Sequence, residues 1–400
     1  MYLRYYHIFL SFSIWYHSVM GFNRRTDISK PQDIFSSVTA FLVVTSDQAS
    51  SRTAAERHRD ELESLCSTLG IRCSAWDYFN VRSFNSATYI GSGQLVRLAW
   101  NAQENQCNLI VFNNSISPRI QRNLEEMLGI AVVDRQEIIL QIFADRATTR
   151  EARLQVELAQ LQYSLPRLKR RWADLSQQRG GVKGSKGSGE KQLELDRRQA
   201  QARIVRLKRE IAEIGRSREI QRRNRTSGSI ANVAIVGYTN SGKSTLLNRI
   251  SDAQVLSQDM LFATLDPTTR RVRLPDGNFA LFTDTVGFVR DLPHELVEAF
   301  KSTLDEAVIA DVLLIVLDAS RDDFISCWET TRDVLEQLGA FEKPRLVLLN
   351  KMDRATEESM FAINTFSASG ERCMKVSVTA DATMEPVLET IAQMLREIGS

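Results

Sequence analysis

Short apolar runs alternate with amphipathic stretches from about residue 36 to 145. Four of the runs predict buried strands: VTAFLVV at 38–44, RCSAWDYF at 72–79, NLIVFNN at 108–114 and IAVVD at 130–134. Helical spacing of apolar residues predicts helices over 54–69, over 117–128 and through Ile138 and Ile142. Strands that alternate with helices indicate βαβ units, so we predict an N-terminal α/β domain with a parallel sheet over 37–147.

Two narrow apolar stripes dominate the next part of the chain. They are formed by Leu154, Leu158, Leu161 and Leu165 at 4-3-4 spacing and by Ile204, Leu207, Ile211 and Ile214 at 3-4-3 spacing. Such stripes are typical of long helices that pack together, so we predict an antiparallel helical hairpin over 148–226. Pro166 is expected to end or kink the first helix. Because it is rich in glycine and lacks large apolar residues, segment 179–190 predicts a mobile loop.

From 230 to 398 buried strands alternate with helices again, which predicts a second, doubly wound and mostly parallel α/β domain. The composition, 43% hydrophobic and 25% charged over 400 residues, is that of a globular protein with two or three domains. The five cysteines form no C-x-x-C pair, so neither a zinc site nor a disulfide framework is predicted, and we expect a cytoplasmic protein.

The aromatic segment 1–20 stands apart from these patterns. It lacks a small-residue cleavage site, and polar residues interrupt its apolar character too often for a membrane span. We interpret 1–36 as an extension without structure, or as the result of a start codon assigned too early, with Met20 as the true start. A peripheral membrane association of this segment is the weaker alternative. No dimer seam is evident, because the stripes of the hairpin can satisfy each other, so we expect a monomer.

Charge is concentrated in the hairpin although the net charge is only +2. Residues 163–189 carry seven Lys and Arg against one acid, and 191–225 add twelve against five. A basic tip with flexible glycines suits RNA phosphates better than a small substrate or DNA. The candidate RNA contacts are Arg170, Arg171, Arg179, Lys183 and Lys186. The alternative is a solvated hairpin whose charges only keep it in solution.

Two glycine-rich turns enter helices. YIGSG at 89–93 could bind a phosphate at a helix N-terminus, or it could be a turn that needs glycine dihedrals. The second turn, GYTNSGKS, has a strand before it and a helix after it and matches the G-x-x-x-x-G-K-S phosphate loop. In such a loop the backbone amides wrap the phosphates, Lys243 reaches the β and γ oxygens and Ser244 ligates Mg²⁺.

The segment NKMD at 350–353 follows another apolar run and selects the base. A carboxylate at Asp353 would accept both adjacent donors of guanine, whereas adenine would leave it unpaired. Lys351 can lie over the base and Asn350 can brace the phosphate loop. VSVTA at 376–380 is placed to offer a backbone amide to the guanine oxygen. The predicted nucleotide is therefore GTP.

The segment TDTVGFVRD at 283–291 predicts the γ-phosphate sensor, with Asp284 reaching Mg²⁺ through water and Gly287 donating its amide. Phe288 occupies the position at which many such proteins carry a water-orienting Gln. Because Phe neither donates nor accepts, slow intrinsic hydrolysis is expected. A switch Thr must also ligate Mg²⁺, and spacing leaves Thr264, Thr268 and Thr269 open.

From about 37 to 398 the chain resembles the HflX GTPases. The resemblance is carried by YIGSGQ, by the long block that begins SPRIQRNLEEMLGI, and by GEKQLELDRR, GYTNSGKSTLLN, LFATLDPTTR, DTVGFVRDLP and NKMD. It implies that Thr264 is the switch Thr and that Lys243, Thr264 and Gly287 act in catalysis. It also implies an apolar residue at the position of Phe288, with the water positioned by backbone, partner or cation. Asn240 lies where some GTPases without the Gln ligate K⁺; the alternative is a turn residue that braces its own backbone.

The resemblance further implies a GTPase that binds the large ribosomal subunit and its RNA and acts in splitting or rescue of ribosomes. The alternatives are an RNA-binding assembly module for which hydrolysis is unimportant, or a membrane-linked signalling GTPase. KGSGEKQLE departs from the usual R-G-P-G-E-T-x-L-E of the family. The candidate GTP-binding residues are Gly237, Tyr238, Thr239, Asn240, Ser241, Gly242, Lys243, Ser244, Thr245, Phe262, Ala263, Thr264, Leu265, Asp266, Asp284, Thr285, Val286, Gly287, Asn350, Lys351, Met352, Asp353, Ser377, Val378 and Thr379.

Overall fold

The computed structural model describes residues 37–46, 52–81, 85–168, 186–225, 230–251, 261–262, 264–290, 301–380 and 383–399. The chain forms two compact units, one made of residues 1–145 and 156–209 and the other of residues 146–155 and 210–400. The predicted extension 1–36 lies outside the described residues.

The first unit contains a four-stranded parallel sheet of order β2-β1-β3-β4. Its elements are β1 (Thr39–Ser46), α1 (Arg52–Thr68), β2 (Arg72–Asn80), α2 (Ser92–Glu104), β3 (Leu109–Phe112), α3 (Pro118–Leu128), β4 (Ala131–Asp134) and α4 (Arg135–Arg146). The four central strands and the helices predicted from the pattern are therefore confirmed. Continuous burial explains the unbroken apolar runs, because helices cover both faces of a parallel sheet.

The helical hairpin consists of α5 (Arg150–Leu168) and α6 (Lys186–Arg225). Arg203 of α6 donates to both carboxylate oxygens of Glu157 in α5, at 2.7 and 2.8 Å. Seven residues earlier in α5, Arg150 lies 3.8 Å from Glu210, which is seven residues later in α6. The partners advance along α6 as they recede along α5, so the two helices are antiparallel, as predicted. Leu207 is fully buried.

Pro166, which was expected to end or kink the first helix, lies inside α5 two residues before its end at Leu168. One detail of the hairpin differs from the sequence expectation. The glycine-rich loop was predicted to extend to residue 190, but α6 begins at Lys186. The helix formers Glu190, Lys191 and Gln192 follow the glycines directly, which accounts for a helix that extends back through them. Residues 169–185, which include 179–185 of the predicted loop, lie outside the described residues.

A buried polar cluster joins the hairpin to the sheet of the first unit. Asp134, at the carboxyl end of β4, accepts hydrogen bonds from the Tyr163 hydroxyl at 2.9 Å and from Arg167 at 3.3 Å. Arg167 also donates to the carbonyl of Ile116 and packs over the Tyr163 ring, 3.5 Å from its centroid. Burial and the neighbouring carboxylates of Glu137 and Asp134 raise the pKa of Tyr163, so its hydroxyl stays a donor.

The second unit contains a six-stranded sheet of order β10-β9-β8-β5-β7-β6, in which only the β6–β7 pairing is antiparallel. Its elements are β5 (Ala231–Val236), α7 (Lys243–Ile250), β6 (Thr268–Arg273), β7 (Phe279–Asp284), α8 (Lys301–Ile309), β8 (Val312–Asp318), α9 (Phe324–Gln337), β9 (Arg345–Asn350), a 3₁₀ turn (Met352–Arg354), α10 (Glu357–Ser367), β10 (Cys373–Lys375) and α11 (Glu385–Gly399). The predicted doubly wound, mostly parallel sheet is confirmed.

The candidate site residues of the second unit follow the carboxyl ends of its parallel strands. β5 leads into the glycine-rich turn, β7 ends at Asp284 and β9 ends at Asn350. Ligands of doubly wound sheets bind at this edge, because the loops there converge. The core beneath the edge is apolar and fully buried, including Ile235, Leu314 and Leu348.

Candidate functional site

The glycine-rich turn after β5 can be built only with glycine at two positions. Gly237 has φ 144° and Gly242 has φ 100°, both in the region that L side chains rarely adopt. A Cβ at Gly237 would overlap the backbone carbonyl of Val316, and one at Gly242 would overlap the Asn350 amide. The turn leads directly into the N-terminus of α7, where an anion is favoured.

Lys243 lies in the first turn of α7, and its side chain folds back over the loop. Its ammonium donates to the carbonyls of Gly237 at 3.2 Å and Tyr238 at 2.9 Å. Burial lowers the pKa of Lys243 to about 8, against the opposing effect of the Asp284 carboxylate. A buried cation held in this way is positioned to meet the negative charge of a phosphate.

Three oxygen donors converge beside the loop. The Ser244 hydroxyl lies 2.6 Å from Asp284 Oδ2 and 2.8 Å from the Thr264 hydroxyl, which itself lies 2.8 Å from the same carboxylate oxygen. Asp284 Oδ1 is buried and has no hydrogen-bond partner among the described residues. Burial raises the pKa of Asp284, while Lys243 and the two hydroxyls oppose that effect. Hard oxygen donors with an unsatisfied carboxylate suit a small divalent cation such as Mg²⁺.

The structure distinguishes the three threonines that spacing left open. Thr264 is the one of the three whose hydroxyl bonds both Ser244 and Asp284. Thr268 and Thr269 belong to strand β6, in which Thr268 lies opposite Asp284 in the ladder. The Thr269 hydroxyl bonds Thr283 instead, at 2.9 Å. Thr264 is therefore the residue that the fold brings to the cation-binding oxygens.

The segment after β7 is joined to the phosphate loop through its backbone. The Phe288 amide donates to the Gly237 carbonyl at 3.0 Å, and the Thr239 amide donates to the Phe288 carbonyl at 2.7 Å. A Cβ at Gly287 would lie 2.7 Å from Thr239 Cα and 2.9 Å from the Lys243 ammonium nitrogen. The Phe288 side chain is 1% exposed. Gly287 is thus held close to the phosphate loop, while the aromatic ring next to it is turned into the protein.

An ionic cluster that sequence reasoning missed supports this segment. Arg290 pairs with the buried Asp323, which also accepts two hydrogen bonds from Arg321 at 2.7 and 2.9 Å. The Arg290 amide donates to the Tyr238 hydroxyl at 3.0 Å. Burial disfavours the charged Arg321, but Asp323 outweighs that effect and raises the pKa of Arg321, so the guanidinium stays charged. The signal available in sequence was only that charged residues follow two strand ends.

The predicted base-reading residues meet at the ends of β9 and β10. Asn350 donates from Nδ2 to the Ser241 carbonyl at 2.8 Å and accepts from the Val378 amide at 3.0 Å. It therefore braces the phosphate loop, as expected, and also the last turn. The Val378 amide already donates to Asn350, whereas no described residue accepts from the Thr379 amide, so Thr379 can offer its amide to a ligand. The Asp353 amide donates to the Ser377 hydroxyl at 3.0 Å.

Lys351 joins this edge to the phosphate loop. It has a positive φ of 61°, and its ammonium donates to the Asn240 carbonyl at 2.9 Å and pairs with Asp318 at 2.8 Å. These two contacts fix the Lys351 side chain at the edge of the sheet where the guanine base is predicted to bind. Asn240 has φ 59°, and its exposed side chain makes no hydrogen bond to any described residue. The prediction that Asn240 braces its own backbone therefore has no support in the described contacts.

The other predicted nucleotide-binding residues differ in their environments. Thr239 accepts at 3.0 Å from the amide of Phe262, which is buried at φ 54°. The Ser241 hydroxyl is buried without a partner among the described residues, which leaves it for a ligand. Thr285 bonds the Ile235 carbonyl. Thr245 is half-buried in α7, whereas Tyr238, Leu265 and Val286 are buried. Met352 starts the 3₁₀ turn, and Ala263 lies outside the described residues.

Comparison with known proteins identifies the family. Three family models match the chain: "GTP-binding GTPase N-terminal" over residues 56–144, "GTP-binding GTPase Middle Region" over 146–225 and "50S ribosome-binding GTPase" over 232–351. The GTPase HflX of Treponema denticola is 47% identical over 358 residues, 88% of this chain and 91% of that protein. The chain belongs to the HflX family of GTPases. It therefore binds GTP and GDP and hydrolyses GTP.

Other comparisons agree with the HflX assignment. GTPase HflX of Akkermansia muciniphila is 49% identical over 316 residues, 77% of this chain and 72% of that protein. The solved complex of SsGBP with GDP aligns with a TM-score of 0.50 over 91% of this chain and 100% of that chain, at 24% identity. That likeness concerns the fold alone.

The RNA contacts predicted for this HflX-family chain can be located only in part. Arg170, Arg171, Arg179 and Lys183 lie outside the described residues, and Lys186 is the first residue of α6. Arg167, which contributed to the basic count, is paired with Asp134 and does not add to a free basic surface. No helix among the described residues combines the length and the apolarity needed to cross a membrane.

Proposed function

We propose that this HflX-family GTPase acts on the large ribosomal subunit and that its nucleotide state controls the association. The role would be the splitting or rescue of ribosomes or the assembly of the subunit. The observation that carries the proposal is the burial of Phe288 beside Gly287. A GTPase whose own chain offers no water-orienting side chain there is suited to activation by a partner.

Ser244, Thr264 and Asp284 would hold Mg²⁺, the last through water, because their oxygens already converge. When bound, Mg²⁺ neutralises charge between the β- and γ-phosphates. Lys243 would move from the loop carbonyls to the phosphate oxygens, and Gly287 would donate its amide to the γ-phosphate. Because Thr264 and Gly287 lie on different segments that both meet the phosphate loop and its helix, γ-phosphate contacts would hold them there and hydrolysis would release them.

Guanine selectivity would come from Asp353, whose side chain is one-third exposed at the edge of the site. A carboxylate there accepts two parallel hydrogen bonds from guanine, whereas adenine would leave it unpaired. Asn350 supports the arrangement, because one side chain holds both the phosphate loop and the last turn. The base and phosphate subsites are therefore tied together.

The family description "50S ribosome-binding GTPase" supports a large-subunit partner. The hairpin supports an RNA contact, since its second helix α6 exposes Arg198, Lys208, Arg209 and Arg216 to solvent. Exposed cations on one long helix are suited to phosphates, whose contribution to affinity is electrostatic and falls with salt.

The test is GTP turnover by the full chain, alone and with purified large subunits, in K⁺ and in Na⁺. We expect slow turnover alone and stimulation by large subunits of at least about 10-fold. Activity in K⁺ without subunits, lost in Asn240→Ser, would assign the missing charge to a cation at Asn240. Bound GTP with no turnover under any condition would favour the assembly module for which hydrolysis is unimportant.

A second measurement tests the partner directly. Co-sedimentation with large subunits should be tighter with a non-hydrolysable GTP analogue than with GDP. The variant Lys208→Gln/Arg209→Gln removes two exposed charges from α6 and should weaken binding and reduce its salt dependence. Equal binding in both nucleotide states would contradict the proposal.

A further inference from the structure

The strongest feature outside the site is a set of hydrogen bonds on Asp266. Its carboxylate accepts from the backbone amides of Thr148 and Thr149, both at 3.1 Å, from the Thr149 hydroxyl at 2.5 Å and from the Thr148 hydroxyl. Both threonines belong to the same compact unit as Asp266. They are separated from it by more than a hundred residues, so the contact is a product of the fold.

The two threonines form the start of helix α5. Thr149 immediately precedes the helix, its hydroxyl accepts from the Ala152 amide at 3.1 Å and its carbonyl accepts from the Arg153 amide at 3.1 Å. Thr149 is therefore the N-cap of α5, and Asp266 accepts hydrogen bonds from the remaining donors at this end of the helix, the amides and hydroxyls of Thr148 and Thr149. A carboxylate is favoured at this end of a helix. Burial alone would raise the pKa of Asp266, but the hydrogen bonds from Thr148 and Thr149 lower it, so the carboxylate is charged.

Asp266 follows two residues after Thr264, whose hydroxyl is one of the cation-binding oxygens. Thr264 contacts Ser244 and Asp284, Leu265 between the two is 2% exposed, and Asp266 reaches the start of α5. Pro267 follows, and a proline restrains the backbone of the residue before it. The segment 264–266, here called the switch segment, is thus attached at one end to the cation site and at the other to α5.

We propose that Thr148 and Thr149 are positioning residues for GTP hydrolysis, which hold Thr264 at the cation site through Asp266. The inference rests on the proposed role of Thr264 in ligating Mg²⁺. It adds that the anchor is the start of α5 rather than a residue of the phosphate loop. Because coupling between two sites is reciprocal, GTP that orders Thr264 must also stabilise the first turn of α5.

Asp266→Ala removes the anchor and leaves the N-cap bond from Thr149 to Ala152 in place. We expect the Mg²⁺ concentration for half-maximal turnover to rise about 10-fold or more and kcat to fall, because several hydrogen bonds to a charged group are lost. GDP affinity without Mg²⁺ should change less than about twofold, since the base and loop contacts are intact. Thr365→Val, which loses a hydroxyl bonded only within α10, is the matched control and should leave all values unchanged.

Thr148→Val tests the contact from its other side, because it removes one hydroxyl at nearly constant shape. A rise of about 5-fold in the Mg²⁺ requirement is expected. Thr148→Ser keeps the hydroxyl and should restore the wild-type value. In the double variant with Asp266→Ala the effect of Thr148→Val should vanish, since both changes break one contact. Additive effects would overturn the proposal.

Hydrogen exchange of the full chain supplies a readout that does not depend on activity. Amides in 150–155 should exchange more slowly with a GTP analogue than with GDP, and this difference should disappear in Asp266→Ala. If 150–155 responds equally to both nucleotides, the contact is a structural cap and the inference fails. Thr264→Ala separates the proposed role of Thr264 in ligating Mg²⁺ from its proposed positioning by Asp266. An unchanged Mg²⁺ requirement in this variant would refute the role of Thr264 itself. A raised requirement in Thr264→Ala, with normal Asp266→Ala, would refute only the anchor.

Discussion

The two glycine-rich turns of the molecule look alike in sequence and differ in what holds them. In the second unit, Gly237 and Gly242 have φ values that favour glycine, and an added Cβ would overlap neighbouring atoms at both. In the first unit, Gly91 has φ −68°, and a Cβ at Gly93 would meet nothing within 4 Å. The positive φ in that turn belongs to Tyr89, at 67°. The expectation that YIGSG needs glycine dihedrals is therefore wrong.

The capping of the two helices differs in the same way. The Gly91 amide is already satisfied, because the Gln94 side chain accepts from it at 3.0 Å. The Ser241 hydroxyl and one oxygen of Asp284 are buried without partners among the described residues. Both turns are rich in glycine, yet one is complete by itself and the other leaves polar groups for a ligand. Unsatisfied buried groups, rather than glycine content, distinguish the binding turn.

The largest expected effect follows from the glycines. Gly237→Ala should abolish GTP binding or lower the free energy of unfolding by on the order of 3 kcal/mol or more, because the Cβ meets backbone that cannot move away. The matched change Gly93→Ala in the other turn should be neutral or stabilise by up to about 1 kcal/mol, since it lies in the first turn of a helix. Thermal unfolding and GTP titration of both variants decide the point. A loss in Gly93→Ala equal to that in Gly237→Ala would remove the contrast.

The serines at the two helix starts give the next contrast. Ser244→Ala removes one of the three converging oxygens and should lower Mg²⁺-dependent turnover by about 100-fold. Ser92 is exposed, and Ser92→Ala should leave turnover within about twofold of wild type. Turnover measured across a Mg²⁺ titration tests both. Unaffected turnover in Ser244→Ala would exclude this serine from the cation site.

Lys243 adds a charge that the first turn lacks, and its titration predicts proton coupling. Because the pKa of Lys243 is about 8 in the folded chain instead of 10.5, the unfolded chain holds more protons between these values. The free energy of unfolding contributed by this residue therefore rises with pH across that interval. Anionic phosphate favours the charged lysine, so GTP binding near pH 9 should take up as much as about one proton, and none at pH 7.

Calorimetry in two buffers of different ionisation enthalpy measures this uptake. The apparent binding enthalpy should depend on the buffer at pH 9 and be independent of it at pH 7. Buffer-independent enthalpies at both values would mean that Lys243 keeps its ordinary pKa.

The smallest expected effect concerns the cap of the first turn. Gln94→Ala removes the side chain that accepts from the Gly91 amide and donates to the Asn80 carbonyl at 3.0 Å. The cost should be about 0.5–2 kcal/mol of unfolding free energy, with GTP turnover unchanged. Chemical denaturation of the full chain provides the measurement, and a change in turnover would show that the two turns are coupled.

The predictable parts of the molecule are those whose signal lies close together along the chain. Strands such as 108–114, the phosphate loop and Asn350 are defined by local pattern or by a motif of a few residues. The Arg167–Asp134 and Arg290–Asp323 pairs each span 33 residues, and the Thr148–Asp266 contact spans 118. Polar residues of this kind show no periodicity, so only the fold identifies their partners. For the same reason spacing could not choose Thr264 over its neighbours.

The burial of Phe288 has a consequence for protein engineering. Its backbone is paired with Gly237 and Thr239, and its side chain is buried. A glutamine introduced at this position would replace a buried ring, and a buried amide without partners is costly. The single substitution Phe288→Gln is therefore not expected to raise the intrinsic rate of GTP hydrolysis. Under the proposed activation by a partner, the time that the protein spends in the GTP state would report its encounter with that partner.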